Sequence, residues 1–225
     1  MAGQGAAQLS DEQILARCAP FTMTSRARQL QTLESVAQAV ARGVPGDLVE
    51  IGVWRGGSVM IMLHKLLQLG VRDRDVHLYD TFSGMTEAAD VDRDRLGEAG
   101  VRCEASLSEV RANVASVGYP AERVNWHVGD IRAVRAEDVP PVIAVLRLDN
   151  DWHELYRHEL PIFEPRVAPG GTVTIDDYGW WSGCKLAVDD YLAAAYPADR
   201  RPSIRPIDGV GVYWERGVDT ASRIL

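Results

Sequence analysis

Apolar positions along this chain recur in two alternating periods. Residues 10–18 and 25–42 space them as amphipathic helices do, the second stretch opening after Thr24 and Ser25 as capping residues and closing at Gly43. Residues 47–53 (DLVEIGV) then read as a strand, 56–70 as a helix and 76–80 (VHLYD) as the next strand, which makes one βαβ unit. The pattern goes on to predict a helix over 106–119, a short strand over 124–130, a buried strand over 141–149 and an amphipathic helix over 153–167. A strand over 171–177, a helix over 183–196 and a hairpin over 204–216, turning at Asp208-Gly209, complete the series. Strands that alternate with helices assemble as an α/β fold. Here that means a doubly wound, mostly parallel, Rossmann-like sheet with an antiparallel pair at one edge. Residues 1–45 form an N-terminal helical extension, a lid or an added layer, ahead of a main domain over 46–225. Residues 81–105 are acidic and irregular and predict a mobile connection.

Two of the apolar runs end in acid. VLRLDND carries Asp149 and Asp151 at its end, and PGGTVTIDDYGWW carries Asp176 and Asp177. A short apolar run that stops at a carboxylate is a buried parallel strand whose C-terminal end opens into a crevice. The four carboxylates therefore face one site. Held close together they repel unless one is protonated or a hard cation lies among them, and an all-oxygen set suits Mg, Ca or Mn. Singly, a strand-end Asp also serves as the cap of the helix that follows.

The first strand-to-helix turn, VEIGVWRGGS, differs from a dinucleotide fingerprint. Gly52 provides the tight turn, and Gly56-Gly57 let a helix start approach a ligand, but Trp54 and Arg55 stand where a pyrophosphate needs bare backbone. Glu50 at the strand end repels phosphate and accepts an ammonium. Asp80 at the next strand end suits ribose hydroxyls, and Gly129-Asp130 stands where an adenine amino group can be read. A ligand with an amine, a carboxylate, a nucleoside and no phosphate fits, which is the chemistry of S-adenosylmethionine. The alternative role for these glycines is packing of helix on sheet.

Composition narrows the partners. At 225 residues and 46% hydrophobic the chain can bury one large α/β core. A net charge of −8 disfavours nucleic acid and anionic membrane surfaces, both of which need a basic face. Cys18, Cys103 and Cys184 are too few and too scattered for a disulfide framework or a zinc site, which fits a reduced cytoplasm. The start, MAGQGAAQLSDEQ, lacks the pattern of a secretory signal, and no run reaches the length of a membrane span. A cytoplasmic protein with a small-molecule partner is expected.

Taken in order, PFTMTS, VPGDLVEIGVWRGGS, LYDTFSGM, VRANVASVGYP, VGDI, LRLDNDWHE, PRVAPGGTVTIDDYGWWSG and VDDYL resemble the macrocin O-methyltransferase family from about Phe21 to Tyr213. The resemblance implies a class I methyltransferase fold and an S-adenosylmethionine- and Mg-dependent enzyme that methylates a sugar hydroxyl of a glycosylated natural product, as in antibiotic biosynthesis. It further implies Asp149, Asp176 and Asp177 as metal ligands and Asp151 as general base. Thr22, Met23, Glu50, Ile51, Gly52, Val53, Trp54, Asp80, Thr81, Phe82, Ser83, Gly84, Asp130 and Ile131 match positions that line the cofactor. An extended segment after Asp149 would project Asp151 to the same side. A glycoside acceptor and a homo-oligomer follow from the same resemblance. The residues alone also allow a Mg-dependent methyltransferase for a non-sugar vicinal diol such as a catechol, or a non-catalytic S-adenosylmethionine-binding protein; a nicotinamide dehydrogenase rests on fold analogy only.

Other residues invite plainer readings. His153, beside the expected base, reads as a helix-start residue facing acceptor or solvent, and His64, His77, His127 and His158 as structural or surface residues. Trp180 and Trp181 suit an apolar wall against a sugar or aglycone, or core packing. Cys184 reads as a small buried residue at a helix start.

Overall fold

The computed structural model describes residues 8–86, 91–92 and 103–217. Strands β1 (Asp47–Ile51), β2 (Val76–Asp80), β3 (Val124–Val128), β4 (Ile143–Leu148) and β5 (Val167–Ile175) are mutually parallel. The short strand β6 (Arg205–Pro206) and β7 (Val212–Glu215) add an antiparallel pair beyond β5. The sheet order is β3-β2-β1-β4-β5-β7-β6. The chain turns one way from β1 to β2 and the other way at β4, so the crevice of this fold opens above the C-terminal ends of β1 and β4.

Both faces of the sheet are covered, which is why its central strands β1 and β4 are apolar within, apart from the paired Glu50 and Arg147. Successive residues point to opposite faces: Leu48 and Val145 enter one core, Val49 and Leu146 the other. The first core is closed by α1 (Asp11–Cys18), α2 (Arg26–Ala41), α3 (Gly57–Gln68) and α4 (Leu107–Ala115), through residues such as Ile14, Val36, Ile61 and Val110. The second is closed by α5 (His153–Phe163) and α6 (Ser182–Ala195), through Tyr156, Leu160, Phe163 and Val188. Ser10 caps α1 in a reciprocal box with Gln13, and Ser25 Oγ accepts the Arg28 N–H to cap α2. Lys65 Nζ donates to Asp11 Oδ1 at 2.9 Å, tying α1 to α3. Among the described residues no helix is long and apolar enough to cross a membrane.

The elements follow the sequence pattern, with differences that have local causes. Helix α5 stops at Phe163 rather than 167, because Pro165 has no N–H to continue it and opens a single tight turn over Glu164–Arg166. Arg216 closes that turn, its Nη1 donating to the carbonyls of Glu164, Pro165 and Val167. Strand β5 therefore begins at Val167, four residues early, and its register slips from Ile143↔Val167 to Val145↔Thr172 across Pro169-Gly170. Helix α4 ends at Ala115, ahead of Gly118, whose φ is 78°. The final hairpin turns through Asp208, whose Oδ1 accepts the N–H groups of Val210 (2.8 Å) and Gly211 (2.7 Å). Of the connection expected to be mobile over 81–105, residues 87–90 and 93–102 lie outside the described residues.

Candidate active site

A cavity of about 440 Å³ opens at the C-terminal ends of the parallel strands. Its floor is set by a backbone contact between the loops that follow β1 and β4. Gly52 has φ 83°, and a Cβ there would stand 1.9 Å from the carbonyl oxygen of Asp149. Only glycine meets both conditions. The same turn is pinned from β2: Asp80 accepts N–H bonds from Val53 (2.7 Å), Trp54 (3.0 Å) and Phe82 (2.7 Å). Trp54 and Phe82 adopt left-handed φ values of 46° and 52°, a strained state for side chains of that size that the Asp80 carboxylate holds in place. Gly52→Ala is expected to lower the unfolding free energy by about 3 kcal/mol. Urea unfolding measures it, and a negligible loss would show that the two loops can separate.

Across the cavity stand the acidic residues of β4 and β5. Asp149, Asp176 and Asp177 each place one carboxylate oxygen within 4.8 Å of the others. Arg147, buried near the C-terminal end of β4, holds them together: its Nη1 donates to Glu50 Oε1 (2.8 Å) and Asp149 Oδ2 (2.8 Å), and its Nη2 to Asp176 Oδ1. Sheet register puts Arg147 beside Glu50, so a charge inside an apolar strand meets its counter-charge on the next one. Arg28 on α2 donates to the other oxygen of Asp176 and, through Nε, to Asp208 Oδ2 at 3.1 Å. Asp177 Oδ2 is buried and has no partner among the described residues.

Asp151 lies in the same cavity but not on an extended segment. The chain folds back after Asp149, the Trp152 N–H reaching Asn150 O at 2.6 Å, and Asp151 takes φ 62°. Its Oδ1 accepts the Trp181 indole N–H at 2.7 Å, which fixes the carboxylate despite the unfavourable backbone.

Glu50, Asp149, Asp151, Asp176 and Asp177 thus share a largely buried region with Arg28 and Arg147 as counter-charges. Burial pushes Glu50 up to about 8 even though Arg147 pulls it down. Burial and the charge of Asp149 lift Asp151 to about 7, and Asp176 rises to about 6 for the same reasons against the pull of Arg147 and Arg28. Asp177 is driven well above the usual carboxylate range by burial, Asp151 and Asp149. The set carries more negative charge than its arginines neutralise, and protons or a cation must make up the difference. The oxygen-only donors and the unpartnered Asp177 oxygen fit a hard divalent ion. Each carboxylate oxygen has two lone pairs, so Asp176 can keep its arginines and still face such an ion.

Of the expected cofactor residues, Thr22, Met23, Glu50, Gly52, Val53, Trp54, Asp80, Thr81, Gly84, Asp130 and Ile131 line this one cavity together with Asp149, Asp151, Asp176 and Asp177. Ile51, Phe82 and Ser83 are not among its lining. Ile51 is in the core, Phe82 packs on the Trp126 ring at 5.8 Å, and Ser83 is exposed with its N–H on Thr81 Oγ1 at 3.2 Å. Two expected ligand-binding carboxylates already have protein partners, Asp80 the backbone amides above and Asp130 the guanidinium of Arg132, which holds Asp130 below its ordinary pKa. His153 starts α5 and gives its backbone N–H to Asp92 Oδ1 at 3.0 Å. Trp181 is buried against Trp152, while Trp180 is half-buried on the cavity wall. His77 and His127, far apart in sequence, meet across β2 and β3 at 3.1 Å. Cys184 is buried.

Sequence reasoning missed Arg147, Arg28 and Asp208. Arg147 left a signal, since a lone arginine inside a buried strand requires a buried acid nearby and Glu50 is the acid of the other central strand. Arg28 left none, because its partners are 148 and 180 residues away.

A family model described as macrocin-O-methyltransferase matches residues 11–216. The chain is 38% identical over 200 residues to an 8-demethyl-8-(2,3-dimethoxy-alpha-L-rhamnosyl)-tetracenomycin-C 4'-O-methyltransferase of Streptomyces olivaceus, spanning 86% of this chain and 75% of that relative. It is 37% identical over 201 residues to the demethyldecarbamoylnovobiocin O-methyltransferase of Streptomyces niveus, spanning 83% of this chain and 74% of the relative. Among solved structures it resembles the O-methyltransferase NovP, with a TM-score of 0.80 at 34% identity over 88% of this chain and 83% of the other.

Proposed function

The chain belongs to the macrocin O-methyltransferase family, and from that premise we propose that it moves a methyl group from S-adenosylmethionine to a sugar hydroxyl of a glycosylated natural product, with Mg²⁺ at Asp149, Asp176 and Asp177. One observation carries the reading: three acidic side chains converge within 4.8 Å, with a buried unpartnered oxygen on Asp177, in the same cavity as the Gly52 and Asp80 loops. The named relatives support the acceptor class, since one is a methyltransferase of a rhamnosyl tetracenomycin.

A sugar hydroxyl is too weak an acid to attack a methyl donor at neutral pH unassisted. Mg²⁺ would supply the Lewis acidity that lowers its pKa, and S-adenosylmethionine the electrophilic methyl. This chain's residues do the rest. Asp151, held by Trp181, takes the hydroxyl proton. Arg147 and Arg28 keep Asp149 and Asp176 in position and limit repulsion before any ion arrives. The loop over Gly52 to Trp54, with Thr22 and Met23, holds the cofactor side, and Trp180 offers apolar surface to the acceptor. In this reading Phe21 to Thr24 and Arg28, from the helical extension proposed over 1–45, complete the wall of a site whose chemistry belongs to the domain proposed over 46–225.

The test is methyl transfer from labelled S-adenosylmethionine to a rhamnosyl glycoside and to a simple catechol, each with Mg²⁺ or with EDTA. The glycoside is expected to be methylated, with EDTA lowering the rate about a hundredfold or more. Turnover of the catechol alone would move the acceptor to a non-sugar diol, and full activity in EDTA would remove the metal from the mechanism.

A further inference from the structure

The cavity has a cofactor side built on Gly52 and Asp80 and an acidic side built on Asp149, Asp176 and Asp177. Methyl transfer must take place where the two meet. Asn150 stands at that border. It directly follows Asp149, it lines the cavity, and its Oδ1 lies 3.0 Å from the place a Cβ on Gly52 would occupy.

The orientation of this amide is set from behind. Asn150 Nδ2 donates to Glu159 Oε2 at 3.1 Å. Glu159 is fully buried on the inner face of α5 among Leu155, Tyr156 and Leu160, and its Oε1 has no partner among the described residues. Burial pushes Glu159 up to about 8, yet as acid or carboxylate it offers an oxygen that accepts the amide N–H. A buried carboxyl whose one hydrogen-bond partner among the described residues is a cavity-lining amide costs the helix stability. Its effect is to turn Nδ2 inward and leave Oδ1 toward Gly52.

We propose that Asn150, oriented by Glu159, presents its Oδ1 to the positively charged sulfonium of the methyl donor and so distinguishes that donor from the uncharged thioether left after transfer. Asn150 makes the contact and Glu159 is a positioning residue. The inference rests on the S-adenosylmethionine reading above. It gives the site a means of releasing its product: the amide dipole favours the ligand only while the sulfur bears charge.

Calorimetric titration of S-adenosylmethionine and of S-adenosylhomocysteine into the wild type, Asn150→Ala, Glu159→Leu and Glu159→Gln tests it. Asn150→Ala and Glu159→Leu are expected to weaken S-adenosylmethionine roughly fivefold, the size of one charge–dipole contact, and to leave S-adenosylhomocysteine within about twofold. Glu159→Gln keeps an acceptor for Nδ2 and should retain the wild-type ratio of the two affinities. Leucine suits the apolar surroundings of residue 159, and Asn150→Ala leaves α5 intact, so a folding failure in one variant leaves the other to decide. Equal weakening of both ligands, or of neither, overturns the assignment. A wild type that binds neither ligand overturns the cofactor reading itself and the inference with it, an outcome separate from an unchanged ratio.

Discussion

Asp177→Asn is expected to cut methyl transfer by about three orders of magnitude while S-adenosylhomocysteine binds as it does to the wild type. The side chains are isosteric, so the cavity keeps its shape. What changes is that the unpartnered buried oxygen gives way to an uncharged amide, and the set Asp149, Asp176 and Asp177 can no longer complete a cation site. Asp177 lies beyond the end of β5, whereas the loops carrying Gly52 and Asp80 belong to β1 and β2, so the substitution leaves the residues proposed to hold the cofactor unchanged. Stability should hold or rise, because a buried acid crowded by Asp151 and Asp149 is removed. Activity, titration and thermal melting on one preparation decide the matter. Loss of S-adenosylhomocysteine binding would show that the two sides of the cavity are not separable, and near-normal turnover would remove Asp177 from the metal site.

The second large effect is on folding. Arg147→Met is expected to lower the unfolding free energy by about 4 kcal/mol at about pH 8 and by much less at about pH 5. Methionine replaces the length of the side chain but leaves Glu50 and Asp149 without the cation that holds them and Asp176 with Arg28 alone. The sign follows from proton uptake. Without the guanidinium the folded-state pKa values of Glu50 and Asp176 rise further above their unfolded values of about 4, so the folded chain binds more protons than the unfolded one. Their contribution is then fully present below the unfolded pKa and is lost as pH rises through the folded one. Glu50, at about 8 even beside Arg147, already sets the upper end of that window near or above neutrality. Urea unfolding at the two pH values measures the difference. An equal loss at both would mean that lost packing, not charge, dominates.

The parts of the molecule legible in the sequence are those whose cause is local. Parallel strands covered on both faces are mostly apolar, so 76–80 and the heart of 141–149 and 171–177 stand out, and the acids at their ends mark the mouth of the crevice. Gly52 was readable because a turn of that kind admits no side chain. What escaped was set at long range or by a neighbour. Arg147 looked like one charge in an apolar strand until sheet register brought Glu50 beside it. Asp151 was expected on extended chain, but the bond from the Trp152 N–H to Asn150 O folds the segment back and Trp181 determines where the carboxylate rests. The end of α5 falls short of residue 167 because the periodicity runs on past Pro165, where the missing N–H breaks the helical ladder after the Glu164 N–H to Leu160 O bond. Asp80 reads from the sequence as a ligand for ribose hydroxyls; the structure shows that it lines the cavity and fastens the loop after β1.

The Arg28 node bears on how the enzyme comes into being. Asp208 accepts from Ser25 across 183 residues and from Arg28 across 180, and Arg28 in turn reaches Asp176. Contacts this distant along the chain close late in folding, since the intervening loop must lose its freedom before they repay it. During synthesis Asp208 emerges from the ribosome after every other member of the acidic centre. A nascent chain can therefore hold the five parallel strands, with Arg147 and Arg28 both made, and still lack the Asp208 anchor that fixes Arg28, so the acidic centre is among the last parts of the molecule to be completed.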